Sequence, residues 1–312
     1  MAEPDIILHH YPRSPFAEKI RLAFGLKGLR WRSVIQPRMA PKPALTALTG
    51  GYRRIPVLQI GADIFCDTRC ILKEIDRRFP EPALYPRQTE GRADMIAAWA
   101  DRQLFANSLG LVFGLHGDRF PPELHADRAR FTAGKFDGWD SAKMRERIPD
   151  LRRELAIHLG WLGQGLIDGR NFLLGAAPSL ADLAVYHPLW YLRGNLNEDA
   201  GLDGHPRLLA WLARMDAIGH GAMQDLSPED ALVIACGAVP ATPLGSATDV
   251  ANPWQPGARV TVTPDDWGFD PVEGEMAWIG ADTIALKRSE RAVGTVVVHF
   301  PLQGFEVKAA AA

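Results

Sequence analysis

The sequence predicts an α+β chain of several domains: an N-terminal α/β domain over residues 1–82, an all-α helical bundle over 88–226, and a short helix followed by a small β-barrel-like domain over 227–312. Three observations lead there. Strand and helix patterns alternate up to Pro80-Glu81-Pro82. From Gln88 to about Met223 long amphipathic stretches recur with no convincing strand run. Beyond Ser227 the composition turns to Pro, Gly and β-branched residues, with Trp254, Trp267 and Trp278 among them.

In the first domain Ile6-Ile7-Leu8-His9 reads as a buried strand, and Pro15 to Lys27 as a helix with Phe16, Ile20, Ala23 and Phe24 on one face, stopped by Gly28. Trp31 to Val34 supplies a second strand, so the three elements form a right-handed parallel βαβ unit. A Pro-rich, weakly helical stretch from Arg38 to Leu48 follows. Val57-Leu58-Gln59-Ile60 and Asp63-Ile64-Phe65 flank Gly61-Ala62 as a hairpin, and Thr68 to Phe79 is helical. The order βαβ, α, ββα is the thioredoxin-like plan, a mixed sheet of four strands with helices on both faces.

The bundle is read from Ala93 to Leu115, Ile148 to Leu166, Leu180 to Leu192 and Arg207 to Ile218, with a polar interval of loop or short helices from Pro121 to Ser141. Ser179 caps the third of these helices and Asp182 reaches back to its amide. Ser227-Pro228-Glu229-Asp230 caps a short helix through Ala235. Strands are expected over 259–263, 275–279, 283–286 and 294–300.

The 312 residues are 47% hydrophobic and 23% charged, as in an ordinary globular protein, and the formal net charge of -2 leaves no footprint for nucleic acid or an anionic membrane. No apolar run approaches the roughly 18 residues of a membrane span, and Met1-Ala2-Glu3-Pro4-Asp5 lacks the build of a signal peptide. The expected location is the cytoplasm, with neither nucleic acid nor membrane as partner. Cys66, Cys70 and Cys236 are too few for a disulfide framework or a zinc knuckle. His9 and His10 point to opposite faces of a strand and cannot share a metal, so no metal is expected. His299 reads as a strand-face residue rather than a ligand.

Chemistry concentrates in the first domain. Ser14 before Pro15 is an ordinary N-cap, yet the same helix end favours an anion, and a hydroxyl there can donate to a bound thiolate. Ile55-Pro56 directly before a strand is either a plain strand start or a cis bond that presents the Ile55 backbone to an extended peptide. Asp67 and Thr68 open the next helix, as caps or as holders of an ammonium and a carboxylate. Tyr11 and Arg13 sit close enough to Ser14 to compete as the stabilising group, and Phe16 follows in the same segment.

These residues resemble the glutathione S-transferase superfamily: Ser14-Pro15-Phe16 opening the first helix, Ile55-Pro56, the acidic-hydroxyl pair Asp67-Thr68, and a helical second domain carrying Ser179-x-x-Asp182. The likeness spans about residues 5–225 and is greatest to the Ser-type classes, such as tau or zeta. It implies that Ser14 activates the glutathione sulfur, that Ile55 and Pro56 contact the cysteinyl backbone, and that Asp67 and Thr68 bind the γ-glutamyl group. It implies a homodimer that adds glutathione to an apolar electrophile. Phe105, Phe113, His116 and Trp190 fall on helices that wall the electrophile pocket in that family. The β region after Ser227 resembles an extension of some bacterial and fungal transferase-like proteins. The alternatives are a glutathione-dependent isomerase and a non-catalytic scaffold with this fold. Thiol-disulfide chemistry would need a cysteine at position 14, with Cys66 the nearest substitute.

Overall fold

A computed structural model of the chain describes residues 5–132, 140–241, 245–246 and 254–310. The first domain contains β1 (Ile7–His10), α1 (Pro15–Leu26), β2 (Arg30–Ile35), α2 (Pro43–Thr49), β3 (Val57–Ile60), β4 (Asp63–Cys66) and α3 (Thr68–Arg78). β1 pairs in parallel with β2, with Leu8 opposite Ser33, and antiparallel with β3, with Leu8 opposite Leu58. β3 and β4 form the hairpin around Gly61-Ala62, and the arrangement is the thioredoxin-like one. Strand alternation sorts the side chains between two cores: Leu58 and Phe65 face α1, α3 and the bundle, whereas Val57, Ile64 and Cys66 face the opposite side.

The helical domain runs through α4 (Glu90–Trp99), a π-helical turn at Ala100–Leu104, α5 (Phe105–His116), α6 (Pro122–Thr132), α7 (Ser141–Glu146), α8 (Ile148–Gly165), α9 (Leu180–Leu196) and α10 (Pro206–Asp216). α9 is buried nearly all round, as a helix at the centre of a bundle must be, and packs against α1. The polar interval after Pro121 contains two short helices, α6 and α7, and its middle lies outside the described residues.

Asp182 anchors the start of α9. Its fully buried carboxylate accepts from the Leu173 amide (2.8 Å), the Ser179 amide (3.0 Å), the Ser179 hydroxyl (2.9 Å) and Trp211 Nε1 (2.9 Å). Burial pushes its pKa up against the pull of these donors. Asp182→Ala leaves them unpaired in an apolar interior and is expected to cost about 3 kcal/mol or more. A lower urea midpoint at constant slope is the readout; a loss under about 1 kcal/mol would show that water replaces the carboxylate.

β5 (Ala222–Asp225) was not anticipated: its four residues are all exposed, and it is held by parallel backbone pairing to β2. It carries no apolar pattern because neither face is covered. α11 (Pro228–Gly237) begins at Ser227, whose Oγ accepts from the Asp230 amide at 3.0 Å.

The remaining strands are β6 (Gly245–Ser246), β7 (Arg259–Pro264), β8 (Val272–Ile279), β9 (Thr283–Glu290), β10 (Gly294–Pro301) and β11 (Phe305–Ala309). They form the expected C-terminal β region, and composition did not reveal how it attaches. β10 lies parallel to β4, with Val298 opposite Ile64, so one sheet runs β11-β7-β8-β9-β10-β4-β3-β1-β2-β5, with β6 against β8. β4 would otherwise be an open edge. At the seam His299 stacks on Phe65 with ring centroids 4.3 Å apart, and its Nε2 meets Asp63 Oδ1 at 3.0 Å, a structural role. Below the sheet Leu45, Leu48, Tyr52 and Ile64 share a core with Val260, Val262, Val298 and Phe300.

Candidate functional site

Ser14 precedes α1 with extended backbone, and its Oγ accepts from the Ala17 amide at 3.2 Å. A hydroxyl can accept and donate at once, so capping the helix leaves the Ser14 proton free for an anion at the helix end. The Ile55–Pro56 bond is cis. Asp67 caps α3 through a 3.0 Å contact with the Arg69 amide and has a φ of 70°, a region that costs a non-glycine residue about 1–3 kcal/mol and clusters at functional sites.

Tyr11, Arg13, Ser14, Phe16, Ile55, Pro56, Asp67 and Thr68 all line one cavity between the first domain and the bundle. Phe105 and Phe113 line it too, Phe105 with its ring centroid 4.8 Å from that of Phe16, whereas His116 and Trp190 do not: His116 Nδ1 bonds the Asn195 carbonyl at 3.0 Å, and Trp190 packs against the main core. Cys66 and Cys70 are buried and their thiols are pushed up by burial, so Cys66 is no substitute nucleophile. No group of His, Cys, Asp and Glu suited to a metal occurs among the described residues. No described helix is long and apolar enough to cross a membrane.

Beneath Thr68 lies a charged network that the sequence did not disclose. Lys19 is fully buried, reaches Asp101 Oδ1 and Oδ2 at 2.9 and 2.8 Å, and donates to Thr68 Oγ1 at 3.4 Å. His187 Nε2 donates to Asp101 Oδ1 at 2.9 Å. Burial would raise the Asp101 pKa, but the Lys19 charge and the His187 hydrogen bond outweigh it and hold the carboxyl below its usual range. Burial lowers His187 to about 4, against the pull of Asp101. The π-helical turn carries Asp101 and Arg102 to the cavity, the kind of helix irregularity that recurs at functional sites.

The cavity is strongly basic, with eight Arg and Lys side chains and three Asp along its wall. Asp127 pairs with both Arg53 and Arg128, and Arg54 with Asp266. Lys42 is 6% exposed and donates to the Arg53 carbonyl at 3.2 Å; burial and the Arg128 and Arg53 charges push it down to about 7. The C-terminal region closes one side. Asp266 and Trp267, between β7 and β8, line the cavity, Arg54 also donates to the Trp267 carbonyl, and the Gly268 amide donates to the Phe131 carbonyl at 2.7 Å.

Residues 8–83 match the family model for the glutathione S-transferase N-terminal domain, and residues 145–214 that for the C-terminal domain. A GST-like protein from Pseudomonas syringae has a crystal structure that is 38% identical and superimposes with a TM-score of 0.82 over 99% of this chain and 100% of that one. This chain belongs to the glutathione S-transferase superfamily. Full coverage of that relative means that the C-terminal strands are shared with it. The superfamily chain is also similar to FtsZ-localized protein A of Caulobacter vibrioides, 28% identical over 57% of this chain and 73% of that protein. Glutathione S-transferase theta-1 of Mus musculus is 25% identical over 53% of this chain and 62% of that protein.

Of the residues around this cavity, sequence reading singled out Tyr11, Arg13, Ser14, Phe16, Ile55, Pro56, Asp67 and Thr68 and missed Lys19, Lys42, Arg53, Asp101, Arg128 and Asp266. Lys42, Asp101 and Arg128 lie in segments with no motif of their own, and Lys19 and Arg53 lie near the Ser14 and Ile55-Pro56 motifs without being part of them. Asp266 comes from a strand-connecting loop more than two hundred residues away from Arg54. Only Arg54, next to Ile55-Pro56, sat inside a segment that already stood out.

Proposed function

We propose that this protein is a glutathione transferase that binds glutathione along Ile55, Pro56, Asp67 and Thr68 and adds its sulfur to an electrophilic small molecule. The observation carrying this reading is the free donor of Ser14 at the α1 N-terminus, in one cavity with the cis Ile55–Pro56 bond and the Asp67-Thr68 helix start. A free cysteine thiol titrates at roughly 8.5, so a hydroxyl donor and a positive helix end raise its thiolate fraction at neutral pH. The thiolate attacks an electrophilic carbon and forms a C–S bond. Either a leaving anion departs, or, at an activated double bond, the neighbouring carbon takes up a proton. Asp67 receives the γ-glutamyl ammonium and Thr68, with the α3 amides, its carboxylate.

Ser14→Ala is expected to leave glutathione affinity within a few fold and to cut turnover roughly a hundredfold, the scale of one lost oxyanion-type donor. Unchanged turnover would pass the role to Tyr11 or Arg13. An isomerase would use the same thiolate, adding sulfur and later expelling it, and product analysis separates the two.

The buried Cys66 and Cys70 thiols suit a cytoplasmic protein. A homodimer is expected from the superfamily, but β10 occupies the outer edge of β4, so a second copy would have to use another surface. The similarity to FtsZ-localized protein A favours a second reading, a non-catalytic partner-binding protein with this fold. Calorimetric titration with reduced glutathione divides the readings: saturable binding at micromolar to low-millimolar concentration supports the transferase, and absence of binding supports the partner-binding protein.

A further inference from the structure

The charge of the cavity exceeds what glutathione alone would neutralise. Asp266 answers Arg54, Asp265 answers Arg102, and the single carboxylate of Asp127 is shared by Arg53 and Arg128. Arg13, Arg38 and Lys42 form no ion pair among the described residues, although Arg38 and Lys42 are partly or largely buried. Glutathione brings two carboxylates, one ammonium and one thiolate, and the ammonium itself needs an acid. With Asp67 taking that ammonium, the three negative charges answer three of the five wall cations without an acid of their own (Arg13, Arg38, Lys42, Arg69 and one of the two sharing Asp127), so two are left over.

Two of these unpaired cations, Arg13 and Arg38, line the same cavity as Arg128, which keeps its pairing with Asp127. Arg13 flanks Ser14, Arg38 follows β2, and Arg128 lies on α6 and donates to the Arg38 carbonyl at 3.4 Å. All three act electrostatically on one group, the buried hydroxyl of Tyr191 on α9, where burial raises the phenol pKa and their charges oppose it. Tyr11 acts on the same hydroxyl, which ties the cluster to the Ser14 segment. Rings hold the guanidinium planes: Arg38 sits 5.4 Å above Phe120 and Arg128 5.4 Å above Phe131. Next to them Phe105, Leu109 and Phe113 give an apolar wall.

An apolar wall beside convergent arginine forks recognises a flat hydrophobic body that ends in an oxyanion. We propose that the acceptor substrate is anionic, an aromatic or similarly flat electrophile whose carboxylate is held by Arg38 and Arg128 beside Tyr191. This rests on the transferase reading and narrows its expected apolar electrophile to an acidic one. Arginine suits the task because its fork pairs with both carboxylate oxygens and keeps its charge at every working pH.

The test compares S-benzylglutathione with S-(4-carboxybenzyl)glutathione by calorimetry on the full-length protein, beside glutathione itself. The carboxybenzyl compound is expected to bind about tenfold tighter than the benzyl one. In Arg38→Gln that ratio should fall to near one, and in Arg38→Lys to an intermediate value, because the charge is kept while the planar fork is lost. Arg128→Gln should also reduce it, with thermal melting to check that the Asp127 pairing has not been lost with the fold. Equal or weaker binding of the carboxybenzyl compound, with glutathione still bound, overturns the acidic acceptor and leaves the transferase intact. A ratio unchanged in Arg38→Gln overturns the assignment to this cluster. Failure of all three compounds to bind overturns the transferase reading and this inference together.

Discussion

A chain ending at Leu226 is expected not to fold, although it contains both domains matched by the superfamily. In the full protein Leu45, Leu48, Tyr52, Val57 and Ile64 are 2% exposed or less, and their shared core includes Val260, Val262, Val298 and Phe300. Burying a large apolar side chain contributes about 1.5–3 kcal/mol. Exposing even half of that surface on five residues removes roughly 4–8 kcal/mol, against a net stability of about 5–15 kcal/mol for a typical domain. The truncation also strips β10 from β4 and opens a hydrophobic edge to aggregation. Expression of residues 1–226 should give insoluble or molten material by near-ultraviolet circular dichroism and size-exclusion chromatography. A soluble chain with a cooperative melt would show that the strands are an appendage. Phe300→Ala is the milder variant: the ring is fully buried against Tyr52 and Phe305, and its loss should cost about 3–5 kcal/mol in the intact protein.

Acid should unfold the protein steeply between about pH 6.5 and 4, through three buried histidines. His9 Nε2 donates to Gln59 Oε1 at 2.9 Å, and its Nδ1 accepts from the Gln36 amide at 3.2 Å. His10 Nε2 donates to Ser33 Oγ at 3.0 Å, and its Nδ1 accepts from Arg21 at 3.1 Å. The His9 and His10 rings thus each use one nitrogen as an acceptor, which fixes them neutral, whereas the His187 Nδ1 is buried without a partner among the described residues. Burial lowers His9 to about 4 against its Gln59 hydrogen bond; burial and then the Arg21 charge lower His10 to about 3; burial lowers His187 to about 4.

The unfolded rings titrate near 6.5, so below that pH the unfolded chain binds protons that the folded chain refuses. The stabilisation is whole above pH 6.5 and is lost as pH falls towards the folded values. Three such groups give a slope of up to roughly 4 kcal/mol per pH unit between about pH 6 and 4.5. Urea unfolding across pH 7 to 4.5 measures it, and His9→Gln should flatten the curve by about a third. A stability constant over that range would mean that the rings are charged in the folded state.

The residues near the chain start were legible because their roles are local. A Ser-Pro helix start, a proline before a strand and an Asp-Thr helix start each follow from φ/ψ preferences and free amides within a few positions, so Ser14, Ile55-Pro56 and Asp67-Thr68 could be found without coordinates. The helices of the bundle and the capping role of Asp182 were equally open to reading, since a 3.6-residue period and a three-residue spacing are properties of the chain itself.

The strand β5 escaped because backbone pairing without burial writes no hydrophobic pattern. The buried pair Lys19–Asp101, the arginines around Tyr191, and the entry of Asp266 and Trp267 into the cavity were decided by tertiary structure. Charges there meet across long stretches of chain and have no spacing to betray them. Alternating apolar residues gave the C-terminal strands, but which edge they pair with depends on register and on the core they close. The fold resolves that by laying β10 along β4, which puts Val298 and Phe300 in one core with Leu45 and Leu48 of α2.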